Sequence, residues 1–399
     1  KSANTKGPVR DLSLPQGLGT GQLFVTNYAP LPLYVEGEKL YLRAKDERFE
    51  RAVCDFREIW ENDKIEQLAL HTSGSTGTPQ VIRVSKAQMR ASAIRTIRAL
   101  GLAEGCRALL CLPIEYVAGK MMLVRAWEGK WQLQCVVPSL HPFAGLSVAP
   151  DFVALTPAQA AATYECPAER SLLENTRCVL LGGGKIDDVL ESKLQSCKGR
   201  VWSSYGMTET LSHIALRQIN GAQKSHGYRP LEGVSVKINT DGCLVIDDFH
   251  LGIHGLATHD IAQISSDGSF TIIGRTDNVV NSGGLKLHVE VLEEKLAALP
   301  FRFALTAVPD PLLGEALTLL LQDNPVVRAW CAEAENTTLP IIGVKESSQL
   351  YSFLRANLSA HSVPKKIGVV EQIPFTSSGK PARSLIKDLA ARCFLEEWA

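Results

Sequence analysis

Gln67-Leu68-Ala69-Leu70-His71 leads into Thr72-Ser73-Gly74-Ser75-Thr76-Gly77-Thr78-Pro79, and Ser85-Lys86-Ala87-Gln88 follows shortly behind. The first run reads as a strand, the second as a glycine-rich loop. The third fits a capping box, in which the serine accepts from an orphan amide and the glutamine reaches back. Behind it Ile94, Ile97 and Leu100 recur at helical spacing until Gly101. Working outward, strands are expected near 107–112, 132–137, 152–155 and 177–181. The last of these enters Gly182-Gly183-Gly184 and a helix from about 186. Strand alternating with helix from about 66 to 205 predicts a mainly parallel sheet covered on both faces.

After residue 230 the rhythm changes. Gly233–Ile238, the turn Asn239-Thr240-Asp241-Gly242 and Cys243–Asp247 read as a hairpin. Ala262–Ile264 and Phe270–Ile273 read as a second one, so an antiparallel subdomain follows the parallel layers. Beyond about 277 helices near 289–298 and 346–358 mix with strands near 302–308, 315–322 and 366–371. The expected class is therefore α/β. A large N-terminal domain over 1–276 carries parallel layers and the antiparallel subdomain, and a small α+β C-terminal domain spans 277–399.

Composition narrows the function classes. At 399 residues, the chain is long enough for two to three cores. Lys+Arg 42 cancels Asp+Glu 42, so no bulk positive field exists to hold nucleic acid or an anionic membrane. None of the ten cysteines forms a CxxC pair, and several lie in apolar runs such as Ala108–Leu112, the pattern of buried free thiols in a reducing compartment. Apolar stretches fall short of the roughly 18 residues that span a bilayer, and the N-terminal stretch shows no signal-peptide core. The expectation is a cytoplasmic protein with no membrane span. Oligomeric state is not set by any feature of the sequence.

Glycines in Thr72–Thr78 let successive amides converge on one concavity, and hydroxyls add donors or reach a magnesium ion. That construction suits a polyphosphate, although the spacing of a Walker A loop is absent.

The loop resembles the signature loop of the adenylate-forming superfamily, which includes acyl- and aryl-CoA synthetases. Five further segments match that family in order. They are Leu181–Gly184, Tyr205-Gly206-Met207-Thr208-Glu209, Thr258-His259-Asp260 with histidine for the usual glycine, Gly274-Arg275-Thr276-Asp277 with Ser282-Gly283-Gly284, and Phe375–Lys380. The resemblance covers residues 72 to 380 and implies two half-reactions. A carboxylic acid attacks the α-phosphorus of ATP, giving an acyl-adenylate and pyrophosphate, and the thiol of coenzyme A then displaces AMP.

The same resemblance assigns roles. Thr72, Ser73, Gly74, Ser75, Thr76 and Gly77 would cradle the phosphates, Thr208 the α-phosphate, and Glu209 would hold Mg2+. Tyr205 would stack on adenine, with Gly183 and Gly184 allowing close backbone approach. Asp260 and Arg275 would bind the ribose. Lys380 would bridge carboxylate and α-phosphate, Asp277 would be the hinge, and Gly283 and Gly284 would face the pantetheine channel. Gln80 replaces the usual loop lysine, Val289 stands where proline is common, and the loop's early position implies an abbreviated N-terminal part.

Tyr116 takes the place of the family's gate to the acyl pocket, and Lys120 and Arg125 follow on the expected helix. Cations there suggest a substrate with a second carboxylate. The run Tyr116–Ala126 is similar to that of compact o-succinylbenzoate–CoA ligases of menaquinone biosynthesis, which implies that acid as the small-molecule partner beside ATP and CoA. Another acyl or aryl acid, a carrier-protein acceptor, and a non-catalytic nucleotide-binding relative remain open readings.

Overall fold

The computed structural model describes residues 9–12, 23–26, 40–43, 46–71, 81–331, 339, 341–342, 347–375 and 381–394. Three short strands, β1 (Val9–Leu12), β2 (Leu23–Thr26) and β3 (Leu40–Arg43), precede helix α1 (Glu47–Glu61). Asp46 caps α1 by accepting from the Arg48 amide. Phe49, Val53, Phe56 and Trp60 follow at helical spacing and are buried. The Phe56 and Trp60 rings stack on Trp127 at 5.9 and 5.6 Å, so α1 is held by burial worth about 1.5–3 kcal/mol per large apolar side chain.

β4 (Gln67–His71) and β5 (Val81–Ser85) form an antiparallel hairpin across the glycine-rich segment. Here the structure differs from the sequence expectation, which ran that segment straight into a helix. Val81-Ile82-Arg83-Val84 alternates with period two and pairs back on β4 before the cap. Ser85 then starts α2 (Lys86–Leu100) with both bonds of the box, Gln88 N to Ser85 Oγ at 3.1 Å and Ser85 N to Gln88 Oε1 at 2.9 Å.

The parallel layer follows as β6 (Arg107–Leu110), α3 (Val117–Glu128), β7 (Gln132–Val136), β8 (Phe152–Leu155), α4 (Pro157–Glu165), α5 (Pro167–Asn175), β9 (Cys178–Leu181), α6 (Asp188–Lys193) and β10 (Arg200–Gly206). β11 (His213–Gln218) and β12 (Arg229–Pro230) return antiparallel. Among the described residues these strands make a ten-stranded sheet ordered β1-β2-β3-β7-β6-β8-β9-β10-β11-β12, parallel from β2 to β10. β8 and β9 are buried at every position, as a parallel strand covered on both faces must be. One apolar cluster lies on each face of this sheet.

A four-stranded antiparallel sheet comes next: β13 (Val234–Ile238), β14 (Cys243–Asp248), β15 (Ile253–Ile264) and β16 (Phe270–Arg275). The remaining elements build a third sheet. They are β17 (Val279–Ser282), β18 (Leu285–His288), α7 (Val289–Lys295), β19 (Phe303–Asp310), β20 (Gly314–Gln322), α8 (Pro325–Cys331), β21 (Ile341–Ile342), α9 (Gln349–Asn357), β22 (Lys366–Val370) and α10 (Arg383–Phe394). The change of sheet falls between Arg275 and Val279. Val289 is the first residue of α7, so the departure from proline there is a helix-start substitution. None of the ten cysteines forms a disulfide, and eight of them are buried. Among the described residues no helix is long and apolar enough to cross a membrane.

Candidate active site

β8, β9 and β10 all point their C-terminal ends at one edge, where an open α/β sheet places ligands. Gly182 follows β9 there. Its amide donates to Leu155 O at 3.0 Å, and Ser204 Oγ donates to Leu181 O at 2.9 Å, so the glycine loop is pinned to both neighbouring strands. Gly183 has φ +80° with open space where a Cβ would stand. At Gly184 a Cβ would stand 3.4 Å from the Pro157 ring.

β10 ends in Tyr205 and Gly206, and the segment Thr208–Thr210 makes one 3-10 turn. Thr210 is buried and its hydroxyl accepts from the Met207 amide at 3.0 Å, which fixes the turn from beneath. Thr208 is half-buried and Glu209 is exposed. Leu211 then adopts φ +63° with its side chain buried, a conformation costing about 1–3 kcal/mol that the surrounding packing must hold. Ser212 ends the turn and His213 opens β11, opposite Gly206.

Tyr205 has its ring edge-on to Phe270, with centroids 5.2 Å apart, and its hydroxyl donates to Asp260 Oδ2 at 2.5 Å. Burial, with the Asp260 charge beside it, raises the phenol well above its usual range. Asp260 is paired in register with Arg275 across β15 and β16. Arg275 Nη1 donates to Asp260 Oδ1 at 2.9 Å, and its other two nitrogens donate to Asp277. Tyr205, Asp260, Arg275 and Asp277 therefore form one continuous row of hydrogen bonds. His259, where the family has glycine, is exposed, with Nδ1 3.2 Å from Thr276 Oγ1.

The third sheet approaches this row through α7. Asn278 Nδ2 donates to Glu290 Oε1 at 2.5 Å, and Lys185, next to the glycine loop, pairs with Glu294 at 2.8 Å. Gly283 and Gly284 form the turn between β17 and β18, both at positive φ, and belong to that sheet and not to the row.

Helix α3 places the acyl-pocket candidates. Tyr116, 40% exposed, stands at its N-terminus. Lys120 directs its ammonium to the carbonyls of Ile114 (2.5 Å) and Glu115 (3.0 Å) and lies over the Phe56 ring; burial lowers its pKa. Its charge thus closes the turn before α3. Arg125, one turn and a half further on, reaches the segment that follows the Thr208–Thr210 turn. It is 3% exposed, has no carboxylate partner among the described residues, and donates Nη2 to Ser212 Oγ at 2.6 Å. Burial brings its pKa down to about 10, which leaves it charged at neutral pH. Sequence reading did not find Ser212 or His213, because a polar residue behind a motif gives no periodic signal.

Thr72, Ser73, Gly74, Ser75, Thr76, Gly77, Gln80 and Lys380 lie outside the described residues. Among those described, no group of three or more His, Cys, Asp or Glu could hold a metal ion by itself. An exposed single carboxylate such as Glu209 nonetheless suits Mg2+, which keeps waters and phosphate oxygens as its other ligands.

The sequence pattern described as AMP-binding enzyme matches residues 45–248, more than half of the chain. The chain belongs to this AMP-binding enzyme family. An acyl-CoA synthetase (AMP-forming)/AMP-acid ligase II-like protein from Dyadobacter fermentans is 32% identical, with a TM-score of 0.55. That match covers 86% of this chain and 95% of that one. A 2-succinylbenzoate–CoA ligase of Bacillus subtilis is 23% identical over 80% of this chain and 68% of its own length. Its counterpart from Geobacillus sp. is 26% identical over 84% and 71%. The fold is shared with the o-succinylbenzoate coenzyme A synthetase of Bacillus subtilis solved with ATP and magnesium (TM-score 0.63, 20% identity, 80% of this chain and 69% of that one). In this AMP-binding enzyme, then, the row from Tyr205 to Asp277 joins the segments that the resemblance assigned to the nucleotide and the hinge.

Proposed function

We propose that this chain is an ATP-dependent acid–thiol ligase whose acid is 2-succinylbenzoate and whose thiol is coenzyme A. Arg125 is the observation that carries the choice of acid. A buried guanidinium without an acidic partner among the described residues, on the helix that begins at the Tyr116 gate, calls for an anion from the substrate. 2-Succinylbenzoate offers two carboxylates, one to be activated and one to meet that cation.

In the first half-reaction the succinyl carboxylate oxygen bonds to the α-phosphorus of ATP and the bond to pyrophosphate breaks. Thr208 would donate to the α-phosphate, and Lys380 would bridge the two reacting groups, where charge on oxygen grows. Glu209 would hold Mg2+, which when bound neutralises the polyphosphate. Asp260 and Arg275 would take the ribose hydroxyls, and Tyr205 with Gly183 and Gly184 the adenine. Thr72–Gly77 would cradle the outgoing phosphates. In the second half-reaction the CoA sulfur bonds to the acyl carbon and AMP leaves.

Asp277 would be the hinge between 1–276 and 277–399, swinging Gly283 and Gly284 toward the pantetheine arm. Ten cysteines without a disulfide among them support placing the enzyme in the cytoplasm.

Pyrophosphate release with 2-succinylbenzoate, benzoate and a medium-chain fatty acid, each with ATP and CoA, tests the reading. A kcat/KM for 2-succinylbenzoate at least about 100-fold above the others is expected, the value of a charge pair satisfied only by the diacid. Equal use of a monoacid would remove the substrate and leave the family intact.

A further inference from the structure

Behind the Thr208–Glu209 turn lies a polar cluster that the nucleotide chemistry does not use. Five groups follow one another through α3, the turn into β11, and α2. Arg125 Nη2 donates to Ser212 Oγ at 2.6 Å, and Ser212 Oγ lies 3.2 Å from His213 Nδ1. His213 Nε2 lies 3.2 Å from Thr96 Oγ1, whose hydroxyl is 3.0 Å from the Ser92 carbonyl. With the ring neutral, as its burial between two guanidinium groups favours, one arrangement of protons satisfies all four contacts. Thr96 must donate to the carbonyl and so accepts from His213 Nε2–H. Nδ1 is then bare and accepts from the Ser212 hydroxyl, whose remaining lone pairs face the guanidinium.

We propose that Ser212, His213 and Thr96 form a proton-ordered relay that orients Arg125 as the receptor for the substrate's second carboxylate, which makes them positioning residues for acid specificity. The inference rests on the reading of the acid given above and deepens it. A second buried arginine supports it by contrast. Arg95, also facing His213, is neutralised by Asp248 at 2.7 Å, and Asp248 is itself fully buried and bonded to the His250 and Leu251 amides. Arg125 receives no such acid among the described residues; the contrast lies in the missing carboxylate, since Arg95 Nε and Nη2, like Arg125 Nε, have no hydrogen-bond partner there. Burial and the two guanidinium charges hold the His213 pKa well below its usual value. A neutral imidazole can order Ser212 without competing for an incoming anion, which an acidic residue at the same place would do. Leu211, at φ +63° and ψ −45°, is the residue between the motif's turn and Ser212.

Steady-state kinetics and imidazole spectra test this together. Ser212→Ala is expected to raise KM for 2-succinylbenzoate about tenfold or more, the loss of an oriented bond to a charged group, with KM for ATP within about twofold. Ser212→Thr keeps the hydroxyl and is expected to restore KM to within about threefold of the parent, and Thr96→Val to raise it about threefold. Equal rises in both KM values, or none, would overturn the relay. Nitrogen-15 spectra of the unliganded protein, with His213→Gln for assignment, should show His213 as the neutral Nε2–H tautomer across neutral pH. A charged ring or an Nδ1–H tautomer there would overturn it without reference to any substrate. Failure of the parent enzyme to activate 2-succinylbenzoate at all would instead strike the choice of acid.

Discussion

Arg275 grips Asp277 through two parallel N–H···O bonds, Nε to Oδ1 at 2.9 Å and Nη2 to Oδ2 at 2.8 Å, while Nη1 reaches Asp260. The three donors of one planar group thus join the ribose candidate to the hinge candidate. The bonds to Asp277 raise the guanidinium pKa above its usual value, against the effect of burial. For Asp277, burial works against the carboxylate, but the same bonds more than offset it and hold its pKa low. A nucleotide bound at Asp260 would therefore be mechanically linked to the segment about which the third sheet is proposed to turn.

Arg275→Lys separates geometry from charge. Lysine keeps the cation but cannot span Asp260 and Asp277 with a flat fork. The variant is expected to raise KM for ATP about tenfold, the worth of one or two charge-assisted bonds. It should also slow both half-reactions, measured as ATP–pyrophosphate exchange and as CoA transfer from presynthesised acyl-adenylate. An unchanged KM for ATP would take Arg275 out of the nucleotide site.

Lys380 makes the opposite prediction, because its proposed task belongs to one half-reaction. Removing the ammonium in Lys380→Ala should lower exchange by about a thousandfold or more, as for loss of a charge placed on the developing oxyanion. Transfer to CoA from supplied adenylate should persist at near the parent rate. Equal loss of both steps would refute the assignment.

Glu191 gives a pH test of the scaffold. It pairs with Arg217 at 2.6 Å and Lys224 at 3.0 Å, tying α6 to β11. Burial raises its pKa, but the two cations more than compensate and the net direction is down. The folded value therefore lies below the unfolded value of about 4.3. The stabilisation is complete above that unfolded value and is lost as pH falls through the folded one. Glu191→Gln should lower Tm near pH 7 and lose that difference progressively as pH falls below the unfolded carboxylate value, read by thermal denaturation across the range. A constant difference at all pH values would show that the pair contributes nothing through its charge.

Much of this was legible in the sequence where one period or one cap dominated. β8 and β9 announce themselves as short apolar runs, and Ser85 with Gln88 marks the start of α2 to the residue. β5 was lost because Val81–Val84 is only four residues between a proline and a cap. Helix α1 escaped because its four core residues are spaced among eight charged ones, a pattern that only the moment of the whole helix reveals. At the site, the motifs located Tyr205, Asp260 and Arg275; the last two pair in register across β15 and β16, and Tyr205 joins them through its hydroxyl. Arg125 was named only as one of two helix cations; its separation from Lys120 became visible when Lys120 closed on the carbonyls before α3. His213 needs a third dimension, since nothing in the order of residues brings Thr96 to its ring.

Two glycines of the site should fail in different ways, which distinguishes close approach from open space. At Gly206 an added Cβ would stand 2.3 Å from Ser212 O and 2.6 Å from His213 Cα, both backbone. Neither atom can yield without opening the β10–β11 pair, so Gly206→Ala is expected to cost about 1–3 kcal/mol or more and to abolish activity along with stability. At Gly183 a Cβ would meet nothing within 4 Å, but φ is +80°. Gly183→Ala then carries only the cost of a left-handed alanine, about 1–2 kcal/mol, and keeps the fold. Its methyl would project into the space assigned to adenine, so KM for ATP should rise while Tm falls by only a few degrees. Thermal denaturation and ATP titration of the two variants check the contrast. A stable, active Gly206→Ala would mean that the β10–β11 approach is looser than 2.3 Å implies, and an unchanged KM for ATP in Gly183→Ala would move adenine elsewhere along the strand ends.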